Sequence, residues 1–94
     1  MTLIEITNEA KKQTLDEITS KENYIGRNDY VNFNPKNIEG VHSIEAEYTA
    51  YGTFFDVFDD NQIDKYENIY CDRISMYDES GKEICSINDI DLMN

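Results

Sequence analysis

Hydrophobic and polar residues alternate with a period of two in the middle of the chain. One face carries His42, Ile44, Ala46 and Tyr48, and the other carries Ser43, Glu45, Glu47 and Thr49. Such alternation predicts a half-buried strand whose polar face lies in water. Glu45 and Glu47 then point the same way, ~6.6 Å apart at two strand rises. His42 is expected on the apolar face as a structural histidine.

The strand pattern is interrupted at Gly52, which predicts a turn or a bulge. Thr53 to Phe58 is a further β-rich segment, and Asp59-Asp60-Asn61 closes it. Earlier in the chain, Tyr30 to Phe33 is predicted to form a short strand that ends before Pro35.

The first twenty residues follow a helical period instead. Thr2 and Glu5 match a capping box, and Leu3, Ile6, Ala10, Leu15 and Ile18 form a partial apolar stripe. We predict a helix over residues 1–21 that covers a sheet. The rival interpretation is a strand at Leu3 to Ile6 followed by a helix capped at Thr7.

The region from residue 63 to 77 allows two interpretations. Apolar residues recur there at helical spacing, at Ile63, Tyr66, Tyr70, Ile74 and Tyr77. Residues 69–77 are nevertheless β-rich, and the turn sequence Asp78-Glu79-Ser80-Gly81 follows them. We therefore predict a hairpin of residues 69–77 and 82–88. Its expected cross-strand pairs are Tyr77 with Ile84, Met76 with Cys85, Ile74 with Ile87, and Cys71 with Ile90.

These elements predict one α+β domain over residues 1–94, with an N-terminal helix packed on a small antiparallel sheet of three to four strands. The sheet is expected within residues 41–88, and residues 89–94 are expected to form a frayed tail. The hairpin register separates Cys71 from Cys85, so no disulfide is expected.

The net charge of the chain limits the classes of partner that the protein is expected to bind. Twenty acidic residues against eight basic ones give a net charge of −12. Such a field repels nucleic acid and attracts basic protein surfaces, although acidic surfaces also serve solubility alone. The chain shows neither a signal peptide nor a ~20-residue apolar span. We therefore expect an intracellular, cytoplasmic protein with no membrane contact and no direct nucleic-acid binding, as a monomer or homodimer.

Acidic residues are densest between positions 54 and 67. Asp56, Asp60, Asp64 and Glu67 are spaced four, four and three residues apart. On a helix these residues would form one carboxylate stripe. In a loop they would occupy positions 1, 5, 9 and 12 of a calcium-binding EF-hand. The third possibility is an ordinary solvated face. Phe58 stands at position 3, where an oxygen ligand is expected, and Asn61 replaces the usual glycine at position 6, so we predict no metal site.

Catalysis has little support in the sequence. His42 is the single histidine, and no phosphate-binding glycine loop, nucleophile elbow or zinc-ligand spacing is present. We expect no enzyme activity, no catalytic residue and no cofactor.

The function we expect is that of a small acidic inhibitor. Its carboxylates would imitate nucleic-acid phosphates and block the basic nucleic-acid-binding surface of a nuclease or of a CRISPR or restriction effector, as phage and mobile-element antagonists do. The alternative is an immunity or other binding module for a basic partner, and a degenerate EF-hand-like calcium-binding protein is a weaker third. The expected partner-binding residues are Glu45, Glu47, Tyr51, Asp56, Asp59, Asp60, Asp64, Tyr66 and Glu67.

Overall fold

The fold is α+β, with one helix packed on a four-stranded antiparallel sheet, as the sequence predicts. A computed structural model of the protein describes residues 1–54 and 61–94. Its elements are α1 (Leu3–Thr19), β1 (Asn28–Phe33), β2 (Ser43–Thr53), β3 (Lys65–Tyr77) and β4 (Glu83–Asp91). The strands are neighbours in chain order, β1-β2-β3-β4, so the sheet is a simple meander.

Helix α1 begins with the predicted capping box. The Thr2 hydroxyl accepts a hydrogen bond from the Glu5 amide, and the Glu5 carboxylate accepts one from the Thr2 amide, both at 3.2 Å. These contacts satisfy amides that have no partner within the helix. The rival strand at residues 3–6 is therefore wrong. Ala10, Thr14 and Ile18 form the buried stripe that faces the sheet.

The sheet has one face against α1, which we call the covered face, and one opposite it, which we call the open face. The covered face supplies most of the core, from Val31, Ile44, Ala46, Tyr48, Ala50, Ile69, Cys71, Ile74 and Met76. In β2 the buried residues alternate with exposed Glu45 and Glu47, so the predicted period of two is confirmed.

His42 does not lie on the apolar face, and that prediction is wrong. Strand β2 begins only at Ser43, after a turn in which Gly40 has φ +80° and the Val41 amide donates to the Ile38 carbonyl. The turn places Val41 in the core and leaves the His42 side chain exposed. Alternation therefore failed at the residue directly before β2, which follows this turn, although its amide already donates to the Tyr77 carbonyl at 2.8 Å.

The hairpin of β3 and β4 replaces the helical alternative for residues 63–77. Met76 opposes Cys85, Ile74 opposes Ile87 and Cys71 opposes Ile90, as predicted. A bulge next to Met76 shifts Tyr77 onto Glu83, so the expected pair of Tyr77 with Ile84 is wrong. Both thiols are free, with Cys71 buried and Cys85 half-buried.

The turn between β3 and β4 is organised by Asp78. One carboxylate oxygen of Asp78 accepts from the amides of Ser80 and Lys82, both at 2.9 Å, and from the Ser80 hydroxyl at 2.6 Å. These bonds favour the ionised carboxylate and lower the pKa of Asp78.

The sheet is larger than the predicted range of residues 41–88. It begins at Asn28, and β4 continues to Asp91, so residues 89–91 are not a frayed tail. Ile90 pairs with Cys71 and packs against the core, and the Leu92 amide donates to the Ile69 carbonyl at 2.9 Å. Apolar burial thus extends the pairing beyond the acidic residues that suggested fraying.

A buried polar cluster joins the end of α1 to the covered face. Asn23 is 3% exposed, and its amide nitrogen donates to the Ile18 carbonyl at 2.7 Å, the Lys21 carbonyl at 3.1 Å and the Tyr66 hydroxyl at 2.6 Å. Its amide oxygen accepts from the Tyr48 hydroxyl. All the hydrogen-bonding groups of the Asn23 side chain are therefore used.

Candidate binding surface on the open face

No described helix covers the open face, since α1 packs against the other side of the sheet. The strand registers arrange the side chains of this face in rows that run across the strands. The first row holds Asn32, Glu45, Ser75 and Ser86; the second holds Tyr30, Glu47, Arg73 and Asn88; the third holds Asn28, Thr49, Tyr70 and Asp91; the fourth holds Tyr51 and Asn68. Adjacent rows are ~6–7 Å apart, at two strand rises.

Tyrosine side chains give the open face unusual aromatic exposure. Tyr30 is 68% exposed, Tyr70 46% and Tyr51 42%. Tyr51 and Tyr70 meet edge to face, with ring centroids 6.4 Å apart, and the Tyr70 hydroxyl is 2.9 Å from the Asn68 amide. Exposed aromatic rings of this kind supply large contact area at protein interfaces.

Glu45 is held in position by neighbours on both sides. One oxygen of its carboxylate accepts from the Asn32 amide at 3.0 Å, and the other accepts from the Tyr77 hydroxyl at 3.3 Å. These bonds fix a negative charge on the open face while leaving it exposed to solvent.

Glu47 and Arg73 are direct cross-strand partners, yet they do not pair. The Arg73 Nε donates to the Ser75 hydroxyl at 2.8 Å, and one of its terminal nitrogens lies 3.3 Å from the Glu83 carboxylate. The Glu47 carboxylate therefore has no hydrogen bond or ion pair with any residue that the structure describes. This leaves a negative group ready for an external donor.

A shallow hollow lies between these side chains. Its volume is about 450 Å³, and it is lined by Asn28, Tyr30, Glu45, Ala46, Glu47, Arg73 and Ser75. Two carboxylates oppose one guanidinium in this lining, so the hollow favours a cationic group.

The structure brings three of the predicted partner-binding residues onto one surface, namely Glu45, Glu47 and Tyr51. Tyr66 lies elsewhere: it is half-buried, and its hydroxyl accepts from Asn23 behind the sheet. Asp64 and Glu67 are exposed near the beginning of β3. Asp56, Asp59 and Asp60 lie outside the described residues.

The acidic stretch does not form a helical carboxylate stripe at its end, because Lys65–Tyr77 is a strand. An EF-hand loop is followed by a helix, and here a strand begins at the equivalent point. Asn61 does adopt a left-handed backbone, with φ +67°, as an asparagine in the glycine position would.

Sequence reasoning missed Tyr30 and Arg73 as members of this surface. The missing information was the strand register, since alternation shows which side of its own strand a residue occupies but not its neighbours across the sheet. Tyr70 lies in the strand predicted over residues 69–77, and only the register of β2 with β3 places it beside Tyr51. The predicted pair of Ile74 with Ile87 also implies that Arg73 lies opposite Asn88, and this was the available signal for Arg73.

Reactive groups are scarce in the described part of the chain. Burial raises the pKa of Cys71 to about 12, which keeps that thiol protonated and unreactive. No group of three or more His, Cys, Asp or Glu residues that could hold a metal ion occurs within residues 1–54 and 61–94. Among the same residues, no helix is long and apolar enough to cross a membrane.

Comparison of the chain with protein-family models, curated proteins and solved structures finds no match.

Proposed function

We propose that the protein is an acidic binding module that docks a basic protein surface on its open face, and that it acts as an inhibitor of the nucleic-acid-mimic type. The observation that carries the proposal is the pair Glu45 and Glu47. They stand exposed in adjacent rows of a sheet face that no described helix covers, beside exposed tyrosines. The net charge of −12 would speed encounter with a basic partner.

The spacing of the carboxylates supports mimicry of nucleic acid. Side chains in adjacent rows are ~6–7 Å apart, a distance close to the repeat of phosphates along one DNA strand. A cleft that binds phosphates with Lys and Arg would meet acceptors at similar intervals on this face. The tyrosines would add the apolar contact area that phosphates alone do not provide.

Binding fits the hollow better than catalysis does. Its lining contributes carboxylates, amides, a tyrosine and a guanidinium, which recognise a charged ligand but form no nucleophile and base pair. The partner class we propose is a nuclease or a CRISPR or restriction effector, met in the cytoplasm of the cell that a phage or mobile element enters. An immunity module for another basic partner is the second candidate, and the same acidic face supports it.

The test is displacement of labelled DNA or RNA from a panel of such enzymes, followed by fluorescence anisotropy across a salt series. The wild-type protein is expected to displace nucleic acid from at least one enzyme, less strongly as salt rises. The double variant Glu45→Lys with Glu47→Lys is expected to weaken displacement by at least about tenfold, because each change places a positive charge against a basic cleft.

The matched control is the double variant Asp16→Lys with Glu17→Lys, which changes the net charge equally on the exposed side of α1. It is expected to retain displacement to within about threefold. Equal loss in both variants, with both still folded, would show that net charge alone matters and would reject the open face. Tight binding to a basic protein without any displacement of nucleic acid would favour the immunity-type module.

A further inference from the structure

We infer that the hollow on the open face receives an arginine side chain of the partner, with its guanidinium paired to Glu47 and lying against the ring of Tyr30. This inference rests on the proposed function and specifies the chemistry of its contact. It commits the hollow to one occupant, an arginine exposed on a basic protein.

Glu47 is not paired with any residue that the structure describes. An arginine directly across the strands would ordinarily pair with a glutamate. Arg73 is instead held by the Ser75 hydroxyl, which is itself only 2% exposed, and by Glu83. The sheet thus places a carboxylate beside a guanidinium that already has partners, and Glu47 is one of the residues that line the hollow.

An exposed aromatic ring lies beside Glu47. Tyr30 is the cross-strand neighbour of Glu47, and 68% of its surface is exposed. A planar guanidinium stacks on such a ring while donating two parallel hydrogen bonds to a carboxylate, whereas an ammonium can do only part of this. The chain itself contains this contact, since the Arg27 guanidinium lies 4.6 Å from the ring centroid of Tyr24.

The residues that line the hollow carry a net negative charge. Glu45 and Glu47 both line the hollow, and the bonds from Asn32 and Tyr77 keep the Glu45 charge in place. Arg73 offsets one of the two charges, so the lining remains negative. An anionic ligand would be repelled, and an apolar one would leave carboxylates desolvated without a partner.

The test is an NMR titration of the protein with two capped peptides, Gly-Arg-Gly-Arg-Gly and Gly-Lys-Gly-Lys-Gly, at equal ionic strength. The arginine peptide is expected to shift the amide signals of Tyr30, Glu47 and Arg73. Its dissociation constant is expected to be about threefold to tenfold lower than that of the lysine peptide, as a stacked, bidentate contact at an exposed site would give.

Four variants test which side chains cause the preference for the arginine peptide over the lysine peptide. Glu47→Gln and Tyr30→Ala should each remove it, while Tyr30→Phe should retain it because the ring remains. Glu17→Gln on α1 should leave it unchanged. Tyr30 and Glu47 are both exposed, so these changes should not unfold the protein.

The outcomes separate this inference from the proposed function. Equal binding of both peptides to the open face would overturn the arginine contact and leave the basic-partner function standing. Failure of either peptide to shift open-face signals would also overturn the inference, and the displacement assay would then judge the proposed function independently. An arginine preference that survives Glu47→Gln would place the contact elsewhere and reject the hollow.

Discussion

The side chain of Asn23 makes more hydrogen bonds than that of any other buried polar residue that the structure describes. Its amide nitrogen holds the last turn of α1 and the Tyr66 hydroxyl, and its amide oxygen accepts from Tyr48. Burial raises the pKa of Tyr48, so the phenol stays protonated and remains a donor. The bond between Tyr48 and Asn23 therefore persists across the physiological pH range.

Replacing Tyr48 by phenylalanine should destabilise the protein by about 1–3 kcal/mol, because the buried oxygen of Asn23 loses its donor. The matched change, Tyr66→Phe, should cost under about 1 kcal/mol, since the Asn23 nitrogen keeps the Ile18 and Lys21 carbonyls as acceptors. Urea unfolding of both variants measures the difference. Equal losses of stability in the two variants would mean that the hydrogen bond between Tyr48 and Asn23 contributes no more than the one between Tyr66 and Asn23.

At the residue scale, features that depend on residues close together in the sequence could be predicted. The burial of individual polar residues could not be predicted from such local patterns. The capping box of Thr2 and Glu5 depends on four consecutive residues, and the sequence contains all of that information. The role of Asn23 depends on Tyr48 and Tyr66, which are 25 and 43 residues away. In the sequence, Asn23 is only one of several asparagines in a turn-rich segment, so it could not be singled out.

At the scale of elements, the β-bulges change which residues of neighbouring strands are cross-strand partners. The pairing of β2 with β3 shifts between Tyr51 and Gly52, and Gly52 lies against the backbone of β3. A Cβ atom at this position would be 2.1 Å from the Lys65 carbonyl oxygen. The close approach of two backbones therefore explains the glycine inside a strand.

Gly52→Ala should accordingly destabilise the protein by about 3 kcal/mol or more, since a backbone carbonyl must move. The control is Gly40→Ala, where φ is +80° and no atom lies within 4 Å of the added Cβ. Only backbone strain acts at Gly40, so the expected cost is about 1–2 kcal/mol. Thermal melts of the two variants compare the costs, and a smaller loss at Gly52 would contradict the steric explanation.

The elements could be predicted where two independent signals agreed. The hairpin of β3 and β4 combined β-rich segments with turn residues, and three of its predicted pairs are correct. The pair of Tyr77 with Ile84 failed because a bulge adds a residue to one strand without changing the composition of either. A strand over residues 65–68 was missed because the acidic stretch also fits helical spacing.

At the scale of the molecule, the sequence predicted one helix on a small sheet but not the arrangement of the open face. Alternation in β2 placed Glu45 and Glu47 together because they share a strand. Predicting that Tyr30 and Tyr70 lie on the same face as these glutamates requires the register of three strands. The pattern of charges along the sequence does not indicate that register. Acidic residues are densest between positions 54 and 67, so charge density alone favours that stretch over the open face.

The large net charge of the molecule should make its stability depend on ionic strength. With twenty acidic and eight basic residues, self-repulsion destabilises the folded state at low ionic strength. Added sodium chloride should raise the midpoint of thermal unfolding, because the Debye length falls from about 30 Å at 0.01 M to about 10 Å at 0.1 M. Calcium chloride at matched ionic strength should give the same midpoint as sodium chloride, and a chelator should not change it.

A specific calcium site would behave differently. Calcium at 100 times its dissociation constant would add about 2.7 kcal/mol, which corresponds to a rise of about ten degrees or more in a domain of this size. A rise of that kind, reversed by the chelator and abolished by Asp64→Asn with Glu67→Gln, would make residues 56–67 a cation site. The acidity of that stretch would then serve the metal, and only the open face would remain as the surface for a basic partner.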